Sequence, residues 1–102
     1  MKRISELAWE KEGREKFGDK KVKWFFVCPK CDNIQSVVSV FDAHNNVDPL
    51  EVMKWIFQEC EGKHFHGMGC NFSLIDNPNA KHSLEVITNE GTKSVFEFLD
   101  ID

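Results

Sequence analysis

The sequence has 102 residues, of which 41% are hydrophobic and 29% charged, and its net charge is −4. A chain of this length predicts one domain, and nine Phe and three Trp supply apolar surface for a core. No uncharged apolar stretch has the length of a membrane span, and no internal repeat or low-complexity tract is visible, so the pattern excludes membrane-spanning and solenoid classes.

The first predicted element is a helix over residues 3–17. One narrow face is apolar, and the remaining positions mix Glu, Lys and Arg at spacings that allow (i, i+4) ion pairs. Gly13 lowers the helix propensity of this segment, and Gly18 ends it. We interpret residues 1–19 as a charged N-terminal helix beside a main domain of residues 20–102.

The next elements are two strands and a helix. Lys21–Cys28 contains β-branched and aromatic residues that are typical of a strand, and the Val-rich segment Ile34–Phe41 predicts another. A helix is predicted over residues 49–60, because Asp48 is a good N-cap and Pro49 suits the first helical position. One face of this helix is apolar and faces the predicted sheet.

Three further strands complete the predicted sheet. A loop with three glycines leads into the predicted strand Cys70–Ile75. Residues 83–88 and 93–99 alternate in polarity around a short polar turn, which is typical of an antiparallel hairpin. The sequence therefore predicts an α+β domain: a small antiparallel β-sheet with one packed central helix, an extra N-terminal helix and a zinc-ribbon-like Cys₄ site.

The four cysteines, Cys28, Cys31, Cys60 and Cys70, carry the clearest chemical signal. The N-terminal residues lack the apolar core of a secretory signal, so we expect a reducing cytoplasm, where thiols are more often metal ligands than disulfide partners. The first two form a CxxC motif after a strand, the third ends the predicted helix, and the fourth opens a strand. This arrangement predicts one structural Zn²⁺ ion held by all four thiolates.

Other uses of the cysteines stay open. A thiol–disulfide enzyme could use Cys28 and Cys31, but it requires a helix that begins at the first cysteine. Ile34–Phe41 is too rich in Val to favour a helix, and this reading leaves Cys60 and Cys70 without a role. An iron–sulfur cluster is a further alternative, because sets of four cysteines hold such clusters as well.

The histidines are weaker candidates. His64 and His66 lie between the last two cysteines, and either could replace one of them as a ligand. Since four thiols complete a tetrahedron, we interpret both as solvent-facing loop residues. His44 and His82 have no evident partner in the sequence. A filled Cys₄ set leaves no open coordination position for catalysis, and no nucleophile–histidine pair stands out, so an enzyme is the less favoured class.

Three short motifs carry a resemblance: CxxC at residues 28–31, Gln-Glu-Cys at 58–60 and Gly-x-Gly-Cys at 67–70. On these motifs, residues 28–99 resemble small, largely uncharacterised zinc-binding proteins encoded by bacteriophages and prophages. The resemblance implies a phage origin, location in the cytoplasm of a host cell and a fold stapled by zinc, with no established activity. These proteins usually have Gly, an aliphatic residue and Trp where this chain has Asp32, Glu61 and Phe72.

Charge separates the function hypotheses. Residues 1–31 hold nine Lys/Arg and five Asp/Glu, whereas residues 32–102 hold four Lys/Arg and twelve Asp/Glu, a net of −8. An acidic body disfavours nucleic acid and suits a basic protein partner. We therefore predict a protein-interaction module that inhibits or modulates a host or phage protein. The alternative is a nucleic-acid-binding zinc-ribbon protein that uses Lys20, Lys21 and Lys23 beside three aromatic residues.

Overall fold

A computed structural model describes residues 2–44, 47–65, 69–77 and 83–99. The fold is α+β, as predicted. Within these residues one mixed five-stranded sheet, in the order β1-β4-β5-β2-β3, is accompanied by three α-helices. In chain order the elements are β1 (Lys2–Ser5), α1 (Glu6–Phe17), a 3₁₀ turn (Lys21–Lys23), β2 (Phe26–Val27), β3 (Ile34–Gln35), α2 (Val37–Ala43), α3 (Pro49–Trp55), a second 3₁₀ turn (Glu61–Lys63), β4 (Ser83–Thr88) and β5 (Gly91–Phe98).

The C-terminal hairpin is confirmed. β4 and β5 pair antiparallel from Ser83–Phe96 to Thr88–Gly91. The sheet itself is mixed rather than purely antiparallel, because β1 lies parallel to β4 at the other side of the hairpin. The helix predicted over residues 3–17 therefore begins only at Glu6, and the residues before it form an edge strand.

Helix α1 packs closely on the aromatic core. The Ser5 side chain caps its first turn by accepting the Ala8 N–H at 3.1 Å. The Trp9 ring stacks on Phe98 with a centroid separation of 5.7 Å, and Gly13 is buried against Trp24. The division of the chain into an N-terminal helix and a main domain stays a prediction.

The strand predicted over Lys21–Cys28 is much shorter in the structure. Lys21–Lys23 form a 3₁₀ turn, and only Phe26–Val27 pair in the sheet. β2 also lies between β5 and β3 and is not an edge strand. The aromatic and charged side chains of this segment nevertheless separate by burial. Trp24 is 1% exposed, whereas the neighbouring lysines are exposed.

The strand predicted over Ile34–Phe41 is wrong beyond its first two residues, because helix α2 begins at Val37. The reason is a capping box made by two serines. The Ser39 N–H donates to Ser36 Oγ at 3.0 Å, and the Ser36 N–H donates to Ser39 Oγ at 2.9 Å. With the first turn satisfied in this way, Val37 and Val40 become the buried face of a helix, despite the strand propensity of Val.

Helix α3 starts where the sequence predicts and ends earlier. Asp48 Oδ1 accepts the Leu50 N–H at 3.0 Å, but the helix stops at Trp55 rather than at residue 60. The following residues turn and run beside β5, where the Phe96 N–H donates to the Phe57 carbonyl at 2.7 Å. These sheet-like bonds replace the helical ones and so end the helix.

The strand predicted over Cys70–Ile75 is also wrong. Within the described part of this segment, a single antiparallel bridge joins Ser73 to Glu59, and a turn follows it. The Leu74 N–H donates to the Gln58 carbonyl at 2.9 Å, so the segment is fixed by pairing with the chain that leaves α3. This pairing brings the last two cysteines towards the first two.

Candidate metal centre

The structure brings all four cysteines together. Their Sγ atoms lie within 4.8 Å of one another. The Sγ atoms of Cys28 and Cys70 are 3.8 Å apart, and those of Cys31 and Cys60 are 3.7 Å apart. Cys28 and Cys60 are buried, whereas Cys31 is exposed at the rim of the cluster.

The first two cysteines lie in a tight turn after β2. The Cys28 N–H donates to the Asn33 carbonyl and the Asp32 N–H donates to the Cys28 carbonyl, both at 2.9 Å. Asp32 closes the turn with φ of 62°, a left-handed conformation that favours glycine and that Asp tolerates better than most residues. The turn holds the Cys28 and Cys31 side chains on the same side.

The other two cysteines come from adjacent pieces of irregular chain. Cys60 follows α3 by five residues, so the prediction that it lies in the last turn of that helix is wrong. Its N–H donates to the Phe72 carbonyl at 3.0 Å, and its Sγ accepts the Cys70 N–H at 3.3 Å. Gly69 has φ of 73°, and a Cβ there would lie 2.6 Å from Cys60 Sγ, so this approach requires glycine.

Burial and hydrogen bonding act on the thiols in opposite directions. Burial raises the pKa of Cys28 and of Cys60 above the ordinary thiol value. Burial acts in the same direction on Cys31, but the Asn33 N–H and the neighbouring thiols outweigh it and lower the pKa of Cys31. The exposed Cys31 is therefore more readily ionised than Cys28 and Cys60, and a bound cation would have to displace protons from those two buried thiols.

Gln35 supports the backbone around the cluster, a role that sequence reasoning missed because no pattern indicates it. This side chain is fully buried, and its Nε2 donates to the carbonyls of Ile56 and Glu59 at 2.8 and 2.7 Å. Its Oε1 accepts the Glu61 N–H at 2.8 Å. Gln35 therefore fixes the backbone on both sides of Cys60.

Glu61 and His44 form a second support that sequence reasoning missed. The Glu61 side chain is only 2% exposed; its Oε1 accepts from Asn33 Nδ2 at 3.0 Å, and its Oε2 lies 3.1 Å from His44 Nε2. The His44 ring in turn stacks on Phe65 at 3.9 Å. The carboxylate thus joins the first cysteine turn to the loop after Cys60, which explains why a polar residue is accommodated at this buried position.

His64 contacts neighbours other than the sulfur cluster. Its Nε2 lies 3.1 Å from Glu59 Oε1, and its ring stacks on Trp55 at 4.0 Å. Burial works to raise the pKa of Glu59, but the Lys63 ammonium at 2.9 Å and His64 outweigh it and lower that pKa. His66 and His82 lie outside the described residues.

The donor set suits a thiophilic metal. For metal–sulfur bonds of about 2.3 Å in a tetrahedron, neighbouring sulfur atoms lie about 3.8 Å apart. The separations of 3.7 and 3.8 Å in this cluster match that value. The donors are four thiols, which suit zinc or an iron–sulfur cluster rather than calcium or magnesium. The cluster is therefore compatible with metal binding.

The thiol–disulfide alternative requires a CxxC motif at the start of a helix. The argument that Ile34–Phe41 does not form a helix is wrong, because α2 occupies most of that segment. However, α2 begins at Val37, so a turn and the short strand β3 separate it from Cys28. Cys28 consequently has no helix N-terminus to stabilise its thiolate, and burial instead raises its pKa.

Comparison with known proteins places the chain in a family. The VVA0879-like family matches residues 5–99, a span that includes all four cysteines. No curated protein and no solved structure matches the chain. None of the helices within the described residues combines the length and the apolar composition that a membrane span requires. The phage origin implied by the resemblance stays a prediction.

Proposed function

We propose that this chain, which belongs to the VVA0879-like family, binds one structural zinc ion through Cys28, Cys31, Cys60 and Cys70. The observation that carries the proposal is the gathering of four Sγ atoms within 4.8 Å from three separate chain segments. Four thiolates fill the coordination sphere of zinc and leave no position for a substrate, so the site holds the fold together and does not catalyse a reaction. The role is that of a structural staple.

The metal proposal is tested by elemental analysis of protein purified without chelator. We expect about one zinc per chain and no visible absorption from iron. Serine in place of Cys60 abolishes stoichiometric zinc, because the remaining three thiols leave the site incomplete. His64→Ala is the matched control from the same loop, and it retains the metal because His64 contacts Glu59 instead. Metal-free protein, or iron with sulfide, would contradict the zinc assignment.

We further propose that the stapled domain acts in the cytoplasm as a module that binds and modulates a host or phage protein. Ile34, Val38 and Phe41 are apolar and exposed, with Phe41 at 51%, and Asp42 is exposed beside them. Val38 and Phe41 are three residues apart on α2 and mark a candidate interface, and the acidic residues 32–102 suit a basic partner. The proposed role needs binding but no chemistry.

The interaction proposal is tested by affinity capture from host cells, with variants as the criterion. Phe41→Asp should abolish capture of a specific partner, because it puts a charge in the apolar contact. Leu50→Asp is the matched control, since Leu50 is even more exposed, at 70%, but lies on α3. Reversing the charge at Asp42 should weaken the complex and reduce the dependence of its affinity on salt. If the unsubstituted protein and all the variants capture the same host proteins, this role is contradicted.

The nucleic-acid alternative receives less support. Trp24 and Phe26 are 1% and 3% exposed, so neither can stack on a base without unfolding of the core. Lys21 is engaged by Glu10, with its Nζ 3.1 Å from the Glu10 carboxylate. We expect no stable complex with DNA or RNA at low salt. A gel shift with micromolar affinity that is lost on neutralising Lys20, Lys21 and Lys23 would favour the alternative.

A further inference from the structure

A groove of about 340 Å³ opens beside α3, and we call it the α3 groove. One of its walls is a single face of α3 together with the N-cap, where the lining residues recur at helical spacing: Asp48, Glu51, Val52 and Trp55. The other wall follows the second 3₁₀ turn and includes His64 and Phe65. The lining includes none of the four cysteines, so the groove is separate from the sulfur cluster. Concave sites with aromatic walls and a few polar groups are typical of ligand binding.

Two aromatic rings of the groove are held in place by histidines. Trp55 and Phe65 are both half-buried, and their ring centroids are 6.3 Å apart with the ring planes at 49°. The His64 ring stacks on Trp55 at 4.0 Å, and the His44 ring stacks on Phe65 at 3.9 Å. Each stack covers one face of an aromatic ring and fixes its orientation. Because the faces of such rings carry partial negative charge, the partly exposed pair attracts a cation.

The charge of the lining is negative. Asp48 and Glu51 are exposed carboxylates on it, and among the described residues no lysine or arginine lines the groove. Glu51 is paired with Lys54 at 3.0 Å, but both side chains are exposed and such pairs are weak. Asp48 forms no ion pair within the described part of the chain. His64 is paired with Glu59, at 3.1 Å, and not with either lining carboxylate. At least one carboxylate is therefore left without a cation.

We propose that the α3 groove binds an arginine side chain of the protein partner. The guanidinium lies against the rings of Trp55 and Phe65. Its N–H groups donate to the carboxylates of Asp48 and Glu51. A guanidinium suits this site better than an ammonium, because it is planar, stacks on aromatic rings and presents a fork of donors to a carboxylate. This inference rests on the proposed interaction role, and it adds a chemical feature of the partner that the apolar residues of α2 do not specify.

The experiment titrates the full chain, purified with its metal, with three probes: Nα-acetyl-arginine amide, its neutral isostere Nα-acetyl-citrulline amide, and Nα-acetyl-lysine amide. We expect saturable binding that is tightest for the arginine probe and weaker for the lysine probe. The citrulline probe should bind about tenfold more weakly than arginine, because it loses the cation–π contact and the ion pairs together. In NMR spectra the arginine probe should shift the indole N–H signal of Trp55. The signals of Trp9 and Trp24 should stay in place, since neither ring lines the groove.

Two variants separate the parts of the proposal. Asp48→Asn removes a charge and keeps the cap of α3, because an asparagine oxygen accepts the Leu50 N–H in the same way. This variant should weaken the arginine probe by about threefold and leave the citrulline probe unchanged. Glu90→Gln is the matched control, because Glu90 is exposed and lies between β4 and β5, outside the groove. Trp55→Leu removes the indole ring and should weaken the arginine probe by about threefold.

Each contrary result has a defined meaning. No saturable binding, or arginine-induced shifts confined to residues outside the groove, would show that the groove is not the site. Equal affinities for arginine and citrulline overturn the cationic assignment, and tighter binding of lysine overturns the choice of a guanidinium. Because the NMR shifts are measured on the unsubstituted protein, these results do not depend on whether a variant folds.

The capture experiment separates this proposal from the interaction role on which it rests. If Phe41→Asp loses the partner while Asp48→Asn and Trp55→Leu retain it at full affinity, the groove proposal fails and the interaction role stands. If Phe41→Asp captures the same host proteins as the unsubstituted protein, the interaction role itself is contradicted. Loss of affinity in Asp48→Asn and Trp55→Leu, with Glu90→Gln unchanged, is the result expected from both proposals together.

Discussion

The two ends of this molecule are held together by different means. The hairpin end consists of β1, α1, β4 and β5, and the cysteine end consists of residues 28–36 and the described part of residues 59–74. At the hairpin end, regular strand pairing continues over six register positions and aromatic rings pack around Trp9. At the cysteine end the chain is mostly irregular, and buried polar side chains replace the alternating apolar ones: Gln35, Ser36, Glu59, Glu61 and Ser73.

The two ends therefore respond to different perturbations. Apolar packing is non-directional, so the hairpin end depends on volume and area. The cysteine end depends on directional contacts, because each buried polar group is unfavourable unless its partner is in place. Four thiols gathered without a cation would contribute little to holding three chain segments together. Each end can therefore be perturbed while the contacts of the other are left in place.

The largest effect is expected from metal removal. A strong zinc chelator should expose the backbone of the cysteine end while the β4–β5 hairpin keeps its protection, because the hairpin's hydrogen bonds do not involve the site. The loss of protection at the cysteine end should be the largest effect of the set, because metal binding and folding are linked in small sites of this type. Hydrogen–deuterium exchange resolved by segment measures the effect, with Cys60 and Gly91–Phe98 as the two reporters. Equal loss of protection at both ends would show that the two ends are not independent.

Loss of the Gln35 side-chain bonds comes next. Gln35→Leu keeps a similar volume but leaves the carbonyls of Ile56 and Glu59 and the N–H of Glu61 without their partner. We expect a loss of about 3 kcal/mol in the free energy of unfolding, since several buried groups become unpaired together. Urea denaturation of the metal-loaded protein measures it. Gln58→Leu is the matched control, because Gln58 is half-buried and its side chain donates to the Ser94 carbonyl. This variant should lose about 1 kcal/mol.

The sequence predicted the elements that have a local signal and missed those that do not. Polarity alternates along residues 83–98, and the Asp48–Pro49 helix start is equally local, so both were found. The parallel strand β1 pairs with residues 82 positions further along, as in Ile4 with Val86, and has no local pattern. The Val-rich α2 was missed because its capping box uses Ser39 at the third helical position, where Glu or Gln is the usual signal.

At the site, the sequence predicted the gathering of the cysteines but not what surrounds them. Cysteine spacing is informative because few other uses of four thiols fit the reducing compartment that we predict for this chain. The role of Gln35 depends on three backbone groups from residues 56–61, which only the fold brings near. His44 pairs with Glu61 across seventeen residues, and no spacing rule connects two such positions. Polar support of this kind becomes visible only in three dimensions.

A matched pair of glycine substitutions compares the two ends directly. A Cβ at Gly13 would lie 2.6 Å from the ring of Trp24, which is buried and fixed by its Nε1 bond to the Gly18 carbonyl. Gly13→Ala should therefore lower stability by about 2 kcal/mol through overpacking, although alanine favours a helix. Gly69→Ala places a Cβ equally close to Cys60 Sγ and should weaken metal binding, whereas Gly13→Ala leaves zinc stoichiometry unchanged. An increase in melting temperature for Gly13→Ala would contradict the packing of α1 on Trp24.

The smallest expected effect concerns the turn between the first two cysteines and β3. Asp32 has φ of 62°, where a side chain is strained and glycine is not. The proteins that this chain resembles usually carry Gly at this position, and the turn geometry explains that preference. Asp32→Gly should raise the free energy of unfolding by about 0.5 kcal/mol, since relief of strain exceeds the added entropy of the unfolded chain.

Asp32→Val should lower the free energy of unfolding by about 1 kcal/mol, because a β-branched residue tolerates this conformation least. Asp32→Ala separates loss of the carboxylate from the backbone effect, and it should fall between the other two. Urea midpoints measured with metal bound give the order Gly, Asp, Ala, Val; a Val variant as stable as the Gly variant would show that the left-handed turn is not what positions Cys28 and Cys31.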